Sequence, residues 1–254
     1  MFPLRDENPT ELIPFVTVLL IVANAVVWIF VQGAGVGEPF LESLCAFGAI
    51  PGEITGQIAS GTGIRLGPEF ACRIGGLTGS TIFTSMFLHG GWMHLIGNMW
   101  FLWVFGNNIE DSMGHARYLV FYLICGALAA AAHLASAPGS PIPTVGASGA
   151  ISGIMGAYLI LYPRVRVFTL FFFVIFIRVI PVPAWVMLLW WFGLQVLSGS
   201  VSAGSGGGVA FWAHVGGFVA GVVLIKLFAK PILTGAKREG RVLARSELGR
   251  FGGW

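Results

Sequence analysis

Two residues able to act as a nucleophile and its base lie in separate apolar stretches of this chain. Ser148 stands in Gly146-Ala147-Ser148-Gly149-Ala150-Ile151-Ser152-Gly153, and His214 in Ala213-His214-Val215-Gly216-Gly217-Phe218-Val219-Ala220-Gly221. An ionisable side chain inside a membrane-length segment is expensive to keep, which makes it a candidate functional site. A hydroxyl activated by an imidazole is a nucleophile for acyl transfer. The chemistry suggested is serine hydrolysis within a bilayer. His94 and Asn98 are four residues apart in HGGWMHLIGNMWFLWVFG, so on a helix they share one face. With the backbone N–H of Ser148 they are candidate donors to an oxyanion. A helix beginning at Ser148 would add the positive end of its dipole. Gly146 and Gly149 permit a sharp entry turn and a close approach. No acid is within reach: Glu110 and Asp111 lie at least twelve residues beyond Asn98, roughly 20 Å along a helix. The expected site is therefore a Ser–His dyad.

The elements that must position these residues are membrane helices. Of 254 residues, 56% are hydrophobic and 10% charged, and the mean hydropathy is +0.84. Soluble domains carry about 25% charged residues. A spanning helix needs about 20 mostly apolar residues, and six segments qualify, near 12–32, 92–109, 115–135, 147–163, 184–200 and 208–228. The predicted fold is thus all-α, a polytopic six-helix domain over 12–228 with a long outer loop at 33–91. A short N-terminus (1–11) precedes it and a basic tail (229–254) comes after it. The run 167–177 is apolar but too short to span, and Pro181 and Pro183 interrupt the chain just beyond it. Residues 164–183 therefore read as a loop dipping into the interface. SGSVSAGSGGG at 198–208 reads as a flexible outer connection.

Charge sets the orientation. Basic residues gather on the cytoplasmic side of membrane proteins. Six spans with both termini inside put 12 of the 14 Lys and Arg there, leaving Arg65 and Arg73 outside. The net charge of +3 is largely this topology signal, and nucleic acid is not an expected partner. The N-terminus lacks a signal-peptide pattern, so the first span is expected to be retained. With that topology His94, Asn98, Ser148 and His214 all fall near the outer surface. Small residues recur beside them: Ser148, Ser152 and Gly156, flanked by Gly149 and Gly153, then Ala213, Gly217 and Gly221. Small-xxx-small faces let membrane helices approach closely. Such a contact between spans four and six would bring His214 toward Ser148. Small stripes also serve plain packing, and a lone intramembrane serine often bonds a carbonyl. It is the shared depth and the flanking glycines that favour catalysis.

Cys45 and Cys72 fall in the outer loop and Cys125 in a span. The outer pair could be joined in an oxidising compartment, but spacing leaves that open. No cysteine or histidine cluster has metal-ligand spacing, so neither metal nor cofactor is expected.

At these residues the chain resembles the rhomboid intramembrane serine proteases. Four blocks agree in order: HGGWMHLIGNMW, the ExxxGxxR turn from Glu110 through Gly114 to Arg117, the GxSG of Gly146–Gly149, and Ala213-His214-Val215-Gly216-Gly217 with Gly221. The resemblance covers about 85–225. It implies that Ser148 is the nucleophile, that His214 is the base, and that His94 and Asn98 stabilise the oxyanion. The Glu110–Arg117 turn would be a structural element on the cytoplasmic side. Substrates would be transmembrane helices, cut near their outer end without metal or cofactor, in what would be a bacterial cytoplasmic membrane. The Trp-Arg pair that many members carry in the first outer loop is not found here. Two rivals stand beside this reading. A catalytically silent relative that binds membrane clients would usually lack the serine or histidine. A transporter using His94 and His214 as a proton path would need charged partners within the spans.

Overall fold

A bilayer core offers no water to the backbone, so spanning segments satisfy their own N–H and C=O groups as helices. The computed structural model describes residues 1–66, 70–75, 79–173, 176–201 and 210–238. The chain opens with β1 (Phe2–Asp6), followed by α1 (Phe15–Val26), which runs into a π-helical turn at Val27–Val31. The outer-loop region then forms α2 (Gly37–Phe47), α3 (Pro51–Ile54), a hairpin of β2 (Gly63–Arg65) and β3 (Ala71–Arg73), and α4 (Thr81–Thr84). Next come two long helices, α5 (Trp92–Met113) and α6 (His115–Ser136), then α7 (Ser148–Leu161). β4 (Arg166–Phe173) and β5 (Phe176–Pro183) lead into α8 (Ala184–Val201), α9 (Phe211–Phe228) and α10 (Pro231–Arg238).

Three of these helices are long and apolar enough to cross a membrane: His115–Ser136, Ala184–Val201 and Phe211–Phe228. Phe15–Val31 and Ser148–Leu161 are shorter and apolar. The protein is an integral membrane protein, and its outward faces fit lipid: Phe30, Leu227 and Val223 are all well exposed. Polar side chains go inward instead. Thr17, Asn24, Glu110 and Ser152 are fully buried.

Two expectations need correction. The fold is mostly helical but not all-α, and 164–183, expected as a loop dipping into the interface, holds two paired strands. β4 and β5 pair antiparallel along their whole length, and β1 adds to β4 to give the order β1-β4-β5. Proline cannot donate to a ladder and is confined to sheet edges. Pro3 lies on β1 and Pro181 and Pro183 on β5, the two edges, while the central β4 has none. Arg5 adds a cation–π contact, 4.1 Å above the Phe168 ring. Of the connection at 198–208, α8 reaches Val201 and residues 202–209 lie outside the described residues. The tail forms α10 as far as Arg238, and 239–254 lie outside them too.

Glu110 explains how α1 begins. No side chain caps this helix locally. Glu110 instead accepts hydrogen bonds from the Val16 and Thr17 N–H groups, both 2.8 Å, and from the Thr17 hydroxyl at 2.7 Å. Asp111 accepts from the N–H groups of Glu11 and Leu12. Free N–H groups at a helix start need such partners. Arg117, at the far end of the same motif, donates to the Phe228 carbonyl at 3.1 Å, while Glu110 contacts His115.

Candidate functional site

α7 sits at the centre, packed against α5, α6, α8 and α9, and Gly149 through Tyr158 are all buried. Its contact with α9 is close because both faces lack side chains. A Cβ on Gly217 would overlap the Gly149 carbonyl, and one on Gly221 the Gly153 carbonyl. On α7, a Cβ at Gly156 would strike the Phe218 carbonyl. These are the glycines whose spacing suggested a close crossing.

That crossing sets the distance between the Ser148 and His214 side chains. Ser148 is the first residue of α7 and His214 the fourth of α9. Ser148 Oγ lies 2.7 Å from His214 Nε2. Being at a helix start, the Ser148 N–H has no intrahelical acceptor. Gly146 precedes it with φ of +127°, a backbone state disfavoured for other residues. A Cβ there would stand 2.7–2.8 Å from His94 Cε1 and Nε2, so the space taken by the His94 ring also requires glycine.

His94 and Asn98 stand on the first turns of α5, on one wall of a cavity of about 1100 Å³ shared with Ser148 and His214. His94 Nδ1 accepts the Gly90 N–H at 3.2 Å. A neutral His94 therefore carries its proton on Nε2, the edge beside Gly146. Asn98 is buried, and its Nδ2 has no hydrogen-bond partner among the described residues. Two side-chain donors thus line the same cavity as Ser148. Glu110 and Asp111 are at the opposite end of α5, engaged with the chain leading into α1.

Three further residues of this region belong to no motif that marks them as site residues. Gln195 of α8 places Oε1 2.8 Å from His214 Nδ1. Trp191, one turn earlier on α8, has its ring centroid 5.8 Å from that of His214. His89 is fully buried 5.1 Å from the His94 ring, and Gln32 clamps its main chain by accepting from its N–H at 2.7 Å and donating to its carbonyl at 2.9 Å. A sequence signal does exist for Gln195, a lone long polar side chain in an apolar helix. Its partner, nineteen residues on in another helix, is not visible locally.

The outer-loop elements cover the cavity. Phe40 and Leu44 of α2 line it beside Ile142 to Val145. Cys45 on α2 is disulfide-bonded to Cys72 on β3, which resolves the pairing that spacing left open. Ala49 pairs with Thr144, and the Thr55 hydroxyl donates to the Pro138 carbonyl at 2.6 Å.

A family model described as "Rhomboid domain" matches residues 78–231, which include every residue of the Ser148 cluster. This chain belongs to the rhomboid family. Among similar proteins are "Rhomboid protease GluP" of Bacillus subtilis, 34% identical over 55% of this chain, and "Rhomboid protein 1, mitochondrial" of Saccharomyces cerevisiae, 29% identical over 56%. "RHOMBOID-like protein 12, mitochondrial" of Arabidopsis thaliana is 31% identical over 54%. The matches take in 23%, 40% and 43% of those proteins' own lengths, so the chain spans less than half of each. For a rhomboid, the α5, α7 and α9 residues described above fall inside the family's domain, whereas β1 and the α2–β3 cover precede the matched region.

Proposed function

We propose that this rhomboid is an intramembrane serine endopeptidase that cuts transmembrane helices near their outer end. The single observation that carries the reading is the 2.7 Å contact between Ser148 Oγ and His214 Nε2, within the reach a nucleophile and its base require. Ser148 is the nucleophile. His214 accepts its proton as Oγ attacks a peptide carbonyl, and later gives that proton to the leaving amine. Water then releases the acyl group from Ser148. The Ser148 N–H, Asn98 Nδ2 and His94 Nε2 hold the oxyanion. A substrate helix hides its carbonyls in its own hydrogen bonds, so it must unwind locally, and weak helix formers near the cut lower that cost.

The finer topology belongs to the same proposal: six spans, α1 with its π turn, α5, α6, α7, α8 and α9. The dyad end of the bundle faces outward and the β1-β4-β5 end inward, with both termini cytoplasmic and the bacterial cytoplasmic membrane as the setting. Support comes from charge. Arg5, Arg117, Arg164, Arg166, Arg178, Lys226 and Lys230 sit at the sheet end, and Arg65 and Arg73 at the dyad end, as the positive-inside rule requires.

The test is labelling of the purified protein with a fluorophosphonate, with Ser148→Ala and His214→Ala as controls. Labelling is expected in the parent and lost in both variants at unchanged melting temperature. A folded parent that does not label, yet retains membrane proteins on pull-down, would favour the client-binding alternative.

A further inference from the structure

The dyad has a third member at hydrogen-bond distance. For Ser148 to give its proton to His214 Nε2, that nitrogen must be bare, so the ring proton must be on Nδ1. Gln195 Oε1 lies 2.8 Å from Nδ1, and a carbonyl oxygen there can only accept. The opposite amide orientation would put a donor against Nδ1. It would force the proton onto Nε2 and leave Ser148 without a base. We infer that Gln195 is a positioning residue, holding His214 in the tautomer and ring orientation that proton transfer from Ser148 needs.

This inference rests on the dyad reading and extends it from two residues to three. The physical setting favours an amide in this role. A charged side chain within a membrane-spanning segment is costly, whereas an amide accepts the same hydrogen bond uncharged. Trp191 and Gln195 are four apart, so α8 presents both on the face toward His214. Trp191 reaches past His214 to Phe218 as well, with ring centroids 6.2 Å apart. The imidazole is thus bounded by Ser148 on one nitrogen, Gln195 on the other, and an indole along the ring.

The test compares second-order fluorophosphonate labelling rates of the parent, Gln195→Met and Gln195→Glu, with melting temperatures measured in parallel. Methionine keeps the length and removes the acceptor. Glutamate restores an acceptor at the same reach. Gln195→Met is expected to label about 10- to 100-fold more slowly at an unchanged melting temperature, a part of the about 10²–10⁴-fold that a general base contributes. Gln195→Glu should recover most of that loss. A merely space-filling side chain would give no such rescue. Parent-like labelling of Gln195→Met, while Ser148→Ala and His214→Ala stay unlabelled, would overturn the role of Gln195 and leave the dyad intact. Slow labelling in both Gln195 variants would also overturn it. An unlabelled parent would overturn the dyad and this inference together.

Discussion

At the scale of single residues, the site is unusual for how much of it waits unpaired. Buried polar atoms in native proteins normally have partners. Asn98 Nδ2 has none among the described residues, although Asn98 is buried and lines the same cavity as Ser148. A donor held without an acceptor is what oxyanion stabilisation requires, because its acceptor forms only during reaction. Asn98→Ala should therefore lower kcat on helical peptide substrates by about 10²–10³ and leave KM within a few-fold. Removing an unsatisfied group should not destabilise the fold, so the melting temperature should hold or rise slightly. A fall in kcat of less than about threefold would remove Asn98 from the oxyanion site. Ser148, His94, Asn98 and His214 are legible in the sequence because polar residues among apolar ones stand out. Gln195 stands out equally, but its meaning depends on a partner in a different helix. Gln32 is harder still, since it acts through the His89 main chain.

At the scale of elements, the helices are readable because length and hydropathy determine them together, and the predicted ends fall within a few residues of those observed. The sheet is not readable, for a definite reason. β4 is a nearly continuous apolar run, without the alternation that marks a half-buried strand. β5 ends in two prolines that read locally as breakers. The partner that makes sense of both, β1, lies some 160 residues upstream. The small-residue stripes are legible as a close contact and carry a prediction of their own. At Gly217 any side chain would meet the Gly149 carbonyl, a backbone atom that cannot turn aside. Gly217→Leu should force α7 and α9 apart, costing about 1–3 kcal/mol or more, or several degrees in melting temperature for a chain of this size. Fluorophosphonate labelling should fall with it, because the same crossing sets the Ser148–His214 distance. An unchanged melting curve would mean that the two helices are not held by this contact.

At the scale of the whole molecule, the dyad end is closed over by a cover that the bundle does not need in order to span a bilayer. Within that cover the Cys45–Cys72 bond ties α2 to β3, and the Ala49–Thr144 pairing and the Thr55–Pro138 hydrogen bond join it to the segment that leads into α7. The covalent tie joins residues 27 apart in sequence, so in the chain-entropy picture it stabilises the folded state by roughly 3.5 kcal/mol. Disulfides persist in oxidising compartments, so the bond agrees with a dyad end that faces outward, the orientation argued separately from the arginines and lysines. Reduction with dithiothreitol should lower the melting temperature of the parent by about 10 °C and leave a Cys45→Ser/Cys72→Ser variant unmoved, since Cys125 is buried in the bundle. Phe40 and Leu44 line the cavity from α2, so loosening this cover should change the cleavage rate of a helical substrate more than labelling by a small fluorophosphonate. An identical melt with and without reductant would show that the noncovalent contacts alone hold the cover in place.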